Sequence, residues 1–515
     1  MSTPARISKS RFTRYVQCPR LGYLQSYPDR FKHLADPLDW LALHLIGEGT
    51  RAGELARDCF PGGVLIGHVW NLGRACAETA VAMRNDAVSH LFEPAFAVEG
   101  LLCRVDVLCK AGDGEVDLIE VKAANSAKAE HLPDVGFQLA VLERSGLSVR
   151  SVGLMHFNPD YVHPDGGGGA APCGAHGAAS NQGYDLAELF VVDDVTQEAR
   201  RWVAENLDGL LGSMRADLAR AEPPRVPLRH GCKECAYYRQ FCAPAGPLHP
   251  VCELGADRGG LFAALYAAGI EDVRDVPPDF PGLGAGHALV LEAAQTKGLV
   301  FKLERLSSLM EELEPPLLFA DFETFMAGLP IYAGTRPWQQ IPFQWSLYIL
   351  EADGSVRHEE FLKADGDDPR RAFAESLLGA VGSTGRVVVY NKGMESTRLK
   401  ELARDLPDLA EALHALDARI FDLLPVVRQC CYHLDLHGSR SLKSVTPVVA
   451  PHLSYEALGL KAGAQAMEAY ERLVSPATSD AEGARVRADL LQYCALDTLA
   501  MVEIVKRFWS EMGKA

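Results

Sequence analysis

The order of apolar and polar positions predicts an α/β region at the start of the chain. Helical periodicity up to about residue 90 gives way to three strand-like runs, PAFAVEG, LLCRVDVLCK and EVDLIEVKAA. A helix over residues 134–145 and a further strand, SVGLMHF, follow. Strands interrupted by a helix in this way are typical of a mixed sheet with helical cover.

A second α/β region begins with the apolar strand PPLLFADFETF. It continues with FQWSLYIL, a helix over residues 369–380, the strand GRVVVYN and the helix MESTRLKELARD. It ends in a long amphipathic helix over residues 484–511, whose apolar positions fall on one side: Val486, Leu490, Cys494, Met501, Ile504 and Phe508. Both regions are therefore predicted to be α/β domains with mixed sheets.

Segments rich in glycine, proline and cysteine mark the domain boundaries. A chain of 515 residues exceeds the roughly 250–300 residues that one core supports, and residues 222–250 and 275–316 are rich in turn formers. We predict domains over residues 1–250 and 313–515, joined by a helical connector over 251–312. The connector segment LFAALYAAGIEDVRDVPPDF resembles a helix–hairpin–helix module, with a plain helical linker as the alternative. The glycine- and alanine-rich residues 162–183 are interpreted as a mobile loop.

Composition predicts a globular protein of a reducing compartment. Hydrophobic residues make up 48% of the chain, and no run of about 18 apolar residues is long enough to span a membrane. The basic N-terminus lacks the apolar stretch of a signal peptide. The 13 cysteines, without a secretory signal, favour metal binding over disulfides. The sequence thus predicts a cytoplasmic protein with no membrane partner.

The net charge of −17 is opposite in sign to that of a surface that binds a polyanion. Basic residues are nevertheless clustered, once between Lys392 and Lys443 and once near the N-terminus: Arg6, Lys9, Arg11, Arg14 and Arg20. Solvated faces are the alternative interpretation of both clusters. Bound divalent cations would offset part of the negative charge, so a nucleic-acid partner stays compatible with the composition.

A first group of acids lies on the predicted strands of the first domain. Asp106 lies in CRVDVLC, and Glu120 and Lys122 project from one face of DLIEVKA after the hairpin turn AGDGE. Two such carboxylates hold Mg²⁺, and the lysine is placed to polarise water or stabilise charge on phosphorus. The alternative is an exposed Glu–Lys pair on an antiparallel sheet.

Together with Gln138 on the following helix, this group resembles the PD-(D/E)XK nuclease core of the RecB type. The resemblance implies a restriction-endonuclease-like fold in which Asp106 and Glu120 bind metal, Lys122 is catalytic and Gln138 positions the site. The family often has an upstream helical histidine, and this sequence offers Glu54 at the corresponding segment.

Closely spaced cysteines follow the first domain's strands. Cys232, Cys235 and Cys242 form a C-x2-C-x6-C pattern, which is a ligand signature, and Cys18 is the best candidate for a fourth ligand. The arrangement resembles the iron–sulfur RecB-like nucleases, namely the AddB nuclease domain and the CRISPR-adaptation exonucleases. This resemblance implies a structural [4Fe–4S] cluster. A zinc ion on the same thiolates and a set of buried thiols without metal are the alternatives.

A second group of acids is distributed over the second domain. Asp321 and Glu323 share one face of a strand, Asn391 and Glu395 follow another strand, and Tyr493 and Asp497 lie one turn apart on the last helix: D-x-E, N-x2-M-E and Y-x3-D in chain order. Acids converging from three elements are suited to hold two divalent ions for phosphodiester hydrolysis.

In this order the motifs resemble the DEDDy family of 3′–5′ exonucleases, which implies an RNase H-like fold and Mg²⁺ or Mn²⁺. Tyr493 would then orient or help deprotonate the attacking water, and Asn391 and Lys443 would bind the substrate strand. The family usually has aspartate where this chain has Glu395, and Asp422 is a candidate stand-in. The same region also resembles an uncharacterised bacterial domain family that is often fused behind RecB-like nuclease domains.

These observations predict a metal-dependent nuclease with two active sites that hydrolyses DNA in repair, recombination or defence. An RNA-processing 3′–5′ exonuclease is one alternative. A nucleic-acid-binding scaffold with one degenerate site is another, supported by Glu395 and by the missing histidine. The chain contains no GxxxxGK[ST] loop, so any unwinding would come from a partner helicase.

Overall fold

The computed structural model describes residues 6–68, 70–164, 183–255, 257, 259–456 and 458–514. These residues form two compact units. The first unit contains the described residues up to 226 and the segment 327–339, and the second contains 227–326 and the described residues from 340 onward. The predicted mobile loop over 162–183 lies, apart from its ends, outside the described residues.

The first unit combines helices with two sheets. Its strands are β1 (Ile7–Ser8), β2 (Val64–Leu65), β3 (His90–Phe92), β4 (Ala95–Val98), β5 (Leu101–Arg104), β6 (Val107–Lys110), β7 (Glu115–Lys122), β8 (Ser148–Phe157) and β9 (Phe190–Asp194). Its helices are α1 (Lys9–Gln17), α2 (Pro19–Ser26), α3 (Pro28–Phe31), α4 (Trp40–Arg57), α5 (Leu72–Arg84), α6 (Leu132–Arg144), α7 (Leu186–Leu189), α8 (Thr196–Trp202) and α9 (Asp208–Leu218).

The six-stranded sheet of this unit has the order β2-β3-β6-β7-β8-β9. Strand β7 is antiparallel to β6 and parallel to β8, so the sheet is mixed. The hairpin from β6 to β7 turns at Asp113 and Gly114, which both have positive φ. Helix α6 packs closely on α8, because a Cβ added at Gly136 would lie 2.6 Å from the ring of Trp202.

The sequence predicted one continuous strand for the run LLCRVDVLCK, but the structure divides it into two strands. It breaks at residues 105 and 106, where the chain leaves the three-stranded sheet β1-β5-β4 and enters the six-stranded sheet through β6. The opposing chain breaks at Glu93 and Pro94, and proline has no N–H to donate to a ladder. Asp106 therefore lies in the bend between two strands.

The second unit contains two further sheets. Its strands are β10 (Val300–Phe301), β11 (Leu317–Phe325), β12 (Ile341–Leu350), β13 (Val356–Leu362), β14 (Arg386–Val389), β15 (Ile420–Asp422) and β16 (Cys431–Tyr432). Its helices are α10 (Leu261–Ala267), α11 (Ala285–Thr296), α12 (Leu303–Leu309), α13 (Arg370–Val381), α14 (Gly393–Asp405), α15 (Ala410–Ala418), α16 (Leu423–Cys430), α17 (Leu442–Val449), α18 (Gly463–Val474) and α19 (Asp480–Glu511).

Strand β11 is the centre of the five-stranded sheet β13-β12-β11-β14-β15. It is antiparallel to β12 and parallel to β14, and apolar residues on both of its faces are buried. Helix α19 is capped by the preceding residue, Ser479, whose side chain accepts from the backbone N–H of Glu482. The mixed α/β architecture predicted for both regions is confirmed.

The compact units differ from the predicted domains at three places. The described residues of the predicted connector, 251–312, are part of the second unit. Residues 227–250 belong to the second unit, because Leu228, Cys232 and Cys242 pack into its core. Residues 327–339, which lie between β11 and β12 in the sequence, belong to the first unit. No helix among the described residues has both the length and the apolar character needed to cross a bilayer.

Candidate active sites

The first candidate site is centred on Glu120 of β7. Gln138 Nε2 of α6 donates to Glu120 Oε2 at 2.7 Å, and Lys122 Nζ lies 2.8 Å from Oε1. Lys9 Nζ of α1 lies 3.0 and 3.1 Å from the two oxygens of the same carboxylate. Asp134, one turn before Gln138, accepts from Lys122 at 2.5 Å and from Gln138 at 3.2 Å. Glu120 is 2% exposed, so this network encloses it.

Charge in the first site is nearly balanced. Burial would raise the pKa of Glu120, but the ammonium groups of Lys9 and Lys122 lower it below its usual range. Burial, followed by repulsion from Glu120, raises the pKa of Asp106 to about 7. Asp106 Oδ2 accepts from the backbone N–H of Val121 at 2.8 Å. Three carboxylates, counting Asp134, thus face two lysines.

The structure brings together Asp106, Glu120, Lys122 and Gln138 as predicted, and adds Lys9 and Asp134. Glu54 is exposed on α4, with no contact to this group among the described residues. Asp134 could have been predicted from the sequence, because it lies four residues before Gln138 and therefore on the same side of the helix. The contact of Lys9 with Glu120 could not have been predicted from a local pattern, because 111 residues separate the two.

The second candidate site combines acids from β11, α14 and α19. β11 carries Asp321 and Glu323, α14 carries Glu395 in its first turn, and α19 carries Asp497. Glu323, Glu395 and Asp497 are 8%, 2% and 5% exposed. Burial is the largest cause of their raised pKa values, and repulsion between neighbouring acids adds to it for Glu323 and Glu395. The pKa of Asp321 rises to about 7 for the same two reasons.

Lys443 of α17 is the cation of the second site. Its Nζ lies 3.5 Å from Asp497 Oδ2 and 4.6 Å from the centre of the Tyr493 ring, and it donates to the Tyr493 hydroxyl. Burial and the neighbouring acids raise the pKa of Tyr493 well above its usual range. This raised pKa favours the protonated form of the Tyr493 hydroxyl, which is able to donate a hydrogen bond.

Two residues of the second site were not predicted as functional. The Tyr455 hydroxyl donates to Asp497 Oδ1 at 2.7 Å. Cys494 Sγ lies 3.9 Å from Asp321 Oδ2, and the thiol, Asp321 and Glu323 form a group whose ligand atoms are within 4.8 Å of one another. Cys494 was predicted only as part of the apolar face of the last helix, and Tyr455 lies in a segment without a recognisable motif.

Asn391 and Asp422 form a pair beside this site. The backbone N–H of Asn391 donates to Asp422 Oδ1 at 3.0 Å, and the same oxygen caps α16 through the N–H of Leu424. Asn391 has a φ of 77°, a conformation that asparagine tolerates better than most residues. Asp422 thus supports the turn before Glu395, and its charge adds to the raised pKa of Glu395.

The donor set of the second site fits divalent metal ions. Asp321, Glu323 and Asp497 share one lysine, and Glu395 has Arg398 as its neighbouring cation. Oε2 of Glu395 is buried and has no hydrogen-bond partner among the described residues. Buried carboxylates are costly without compensating charge. Oxygen ligands of this kind are those that Mg²⁺ and Mn²⁺ prefer.

The cysteines predicted as cluster ligands are divided between the two units. Cys18 lies between α1 and α2 of the first unit, and Cys232, Cys235 and Cys242 lie in the second. The sulfur atoms of a tetrahedral zinc site are about 3.8 Å apart. Among the described residues, the groups of metal-binding side chains within 4.8 Å of one another do not include these cysteines. Both the iron–sulfur cluster and the zinc ion stay predictions.

Part of the second unit matches a family model. Residues 318–441 match the family described as "Domain of unknown function (DUF2779)". The uncharacterized protein MG366 of Mycoplasma genitalium and its homolog in Mycoplasma pneumoniae are each 25% identical to this chain, over 217 and 219 residues. The matches cover 38% and 39% of this chain, and the chain spans about a third of the length of these relatives, 32% and 33%.

Two solved structures are similar to part of the chain. The family B DNA polymerase from the hyperthermophilic archaeon Pyrobaculum calidifontis has a TM-score of 0.24 and 15% identity, and covers 38% of this chain and 29% of the polymerase. A structure described as SSO0001 has a TM-score of 0.19 and 14% identity, covering 46% and 85%. Likenesses of this extent carry no argument about fold or function. The comparisons thus show a match to a family of unknown function over residues 318–441, which lie mostly in the second unit, and distant Mycoplasma relatives.

Proposed function

We propose that this chain is a metal-dependent nuclease acting on DNA, with a DEDDy-type 3′–5′ exonuclease site in the second unit and a PD-(D/E)XK-type site in the first. The proposal rests above all on the buried, incompletely balanced acids of the second site: Asp321, Glu323 and Asp497 share the ammonium group of Lys443, and Arg398 is the cation that acts on Glu395. Divalent ions are the ordinary way to stabilise such a group and to use it.

In the second site, Asp321, Glu323 and Asp497 would hold the ions, and Glu395 would complete the acid set. Bound there, the ions would activate water and stabilise the leaving oxygen of a phosphodiester. Tyr493 holds its proton and is fixed by Lys443, so it would orient the water through a hydrogen bond. Tyr455 fixes the other side of Asp497. The mixed sheet with β11 at its centre is consistent with an RNase H-like fold.

In the first site, Asp106 and Glu120 would hold Mg²⁺, and Lys122 would stabilise charge on the reacting phosphate. The amide of Gln138 holds Glu120 in position. Lys9 already contacts both oxygens of Glu120, where a metal ion would bind. This contact favours a second candidate function for the first unit alone, a nucleic-acid-binding domain with a weakened or degenerate site.

The cysteine cluster is a separate part of the proposal. Cys18, Cys232, Cys235 and Cys242 would bind a [4Fe–4S] cluster, with zinc as the competing metal. Protein purified without oxygen is expected to contain iron and sulfide, and Cys242→Ser is expected to lose both. If the protein instead contains zinc, and Cys242→Ser loses it, these cysteines form a zinc site rather than an iron–sulfur cluster.

Cleavage of end-labelled single- and double-stranded DNA and RNA, with Mg²⁺ or Mn²⁺, tests the two sites separately. Lys122→Ala, Asp497→Ala and the double variant are compared with two exposed controls, Lys128→Ala and Asp480→Ala. We expect each single change to remove a distinct cleavage pattern and the double variant to be inactive.

The other outcomes of this experiment decide between the alternatives. If Asp497→Ala alone abolishes all cleavage, the first unit is a binding domain. If RNA is cleaved in preference to DNA, the second unit is an RNA-processing exonuclease. Wild-type protein that binds nucleic acid with both metals present but never cleaves it would overturn the proposal.

A further inference from the structure

A third group of metal-binding side chains lies in the second unit and takes no part in the acid site. His249 and Glu253 come from the segment around the short turn Val251–Leu254, and His437 follows another short turn, Leu434–Leu436. One ligand atom from each lies within 4.8 Å of the other two. His249 Nδ1 lies 3.1 Å from Glu253 Oε2, and His437 Nδ1 lies 3.2 Å from Glu253 Oε1.

We propose that His249, Glu253 and His437 bind a zinc ion. For a tetrahedral ion with bonds of about 2.0–2.1 Å to nitrogen and oxygen, neighbouring ligand atoms are roughly 3.3 Å apart. The two observed distances are close to this spacing. Two imidazoles and one carboxylate are a common zinc ligand set, whereas Mg²⁺ prefers oxygen ligands alone.

The charge around Glu253 also favours a bound cation. Glu253 is 3% exposed, and among the described residues neither lysine nor arginine contacts its carboxylate. The nearby ammonium group of Lys233 donates to the backbone carbonyl of His437 instead. A single imidazolium would suffice for an ordinary ion pair, but here two imidazoles direct Nδ1 at one carboxylate, with their rings 5.0 Å apart and nearly parallel.

The backbone holds these side chains in place. His437 has a φ of 47°, which is unusual for a residue other than glycine. At the next position, Gly438, a Cβ would lie 2.9 Å from the Cα of Glu253, so only glycine permits this approach. On the other side, the backbone N–H of His249 donates to Asp272, which is itself bonded to Arg274. The strained turn at His437 is thus kept where it meets Glu253.

Three protein ligands leave a fourth position open. His437 is exposed and lines a cavity of about 710 Å³, together with Lys233, His433 and Lys443. The open position would be taken by water or by an oxygen of a molecule in the cavity. The ion would also fix the turn at His437, which forms one wall of this cavity. The proposal concerns metal binding alone and holds whether or not the chain is a nuclease.

Zinc stoichiometry of the full chain tests the site. Protein treated with a chelator is equilibrated with buffered free Zn²⁺, and bound metal is measured by elemental analysis. Glu253→Gln and His437→Ala are compared with His433→Ala, a histidine of the same cavity outside the group. We expect each of the two ligand variants to bind about one equivalent of zinc less than wild type, and His433→Ala to match wild type.

Cobalt spectra give a second readout. Replacing Zn²⁺ by Co²⁺ is expected to produce a tetrahedral visible spectrum that is lost in His437→Ala and retained in Asp497→Ala. The side chain of His437 is exposed, so its removal leaves the apolar core intact. Equal zinc stoichiometry in wild type, Glu253→Gln and His437→Ala would overturn the proposal. So would cobalt spectra that do not change between wild type and His437→Ala. Asp497→Ala is expected to lose nuclease activity but to keep the zinc stoichiometry and the cobalt spectrum of wild type. The two measurements therefore distinguish failure of the zinc site from failure of the nuclease site.

Discussion

Single side chains decide how much negative charge each acid site leaves unbalanced. In the second site, Glu395 has a buried oxygen without a hydrogen-bond partner and a neighbouring acid in Asp321. In the first site, Lys9 and Lys122 compensate most of the charge of Glu120. The second site should therefore depend more strongly on divalent ions than the first.

Glu395→Gln should stabilise the chain while it inactivates the second site. Burial and Asp321 raise the pKa of Glu395, so its ionisation lowers the stability of the wild-type protein as the pH rises above the unfolded-state pKa. The glutamine variant, in which only the other acids of the site titrate, should lose less stability over the same range. In chelator at neutral pH we expect a free energy of unfolding higher by about 1–3 kcal/mol, and a difference that vanishes near pH 4. Thermal melts across this pH range measure it.

Glu411→Gln is the control for this prediction, because Glu411 is an exposed acid in the first turn of α15. It should not gain stability, and exonuclease activity should persist. If Glu395→Gln is less stable than wild type in chelator, the carboxylate has a partner and the charge argument is wrong.

Lys9→Met should lower the Mg²⁺ requirement of the first site. Lys9 contacts both oxygens of Glu120 and so competes with a metal ion for them. A hydrogen bond to a charged group contributes about 1.5–3 kcal/mol, and Lys122 remains, so we expect about a tenfold lower Mg²⁺ concentration at half-maximal cleavage. Titration of Mg²⁺ in the Asp497→Ala background measures this. Arg14→Met, exposed on the same helix, should leave the requirement unchanged, and an increase with Lys9→Met would contradict the competition.

At the scale of elements, the close packing of α6 on α8 positions Gln138 and Asp134. Gly136→Ala should push α6 away, because its Cβ would lie 2.6 Å from the Trp202 ring. We expect a loss of about 1–3 kcal/mol in stability and reduced cleavage by the first site only. Melting curves and cleavage assays in the Lys122→Ala and Asp497→Ala backgrounds separate the two effects. Gly209→Ala on α9 is the control, since no atom of the described residues lies within 4 Å of that Cβ.

Elements with local patterns were predictable from the sequence. The alternation in LLFADFETF placed Asp321 and Glu323 on one face of β11, and helical spacing placed Tyr493 and Asp497 on one side of α19. The break at Asp106 was not predictable, because it depends on the pairing partner around Pro94. Contacts between distant segments, such as Lys9 with Glu120, follow from the tertiary fold and leave no local pattern.

At the scale of the whole molecule, the first unit is completed by a segment from far along the chain. Gly328 N–H of this segment donates to the buried carboxylate of Glu48 at 2.7 Å, and a Cβ at Gly328 would collide with that carboxylate. Leu329 is buried in one cluster with Leu55 and Phe157. The first unit thus needs residues 327–339 as well as those up to 226.

A fragment ending at residue 250, the predicted boundary, should therefore be unstable. Without the segment, Glu48 loses its backbone donor and the Leu329 position is left empty, at a cost of about 2–5 kcal/mol for the apolar contact alone. We expect a synthetic peptide of residues 325–341 to raise the melting temperature of the fragment, and the same peptide with Leu329→Asp to have no effect. A fragment that melts cooperatively at the temperature of the full chain, without peptide, would show that the segment is dispensable.

The position of residues 327–339 also has a consequence for synthesis in the cell. At translation rates of roughly 5–20 residues per second, the ribosome needs about 6–23 s to extend the chain from residue 226 to residue 339. During this interval the nascent first unit exposes the apolar surface that Leu329 will cover. We therefore expect chaperone contacts during translation to concentrate in this window, and slow codons within it to lower the yield of folded protein.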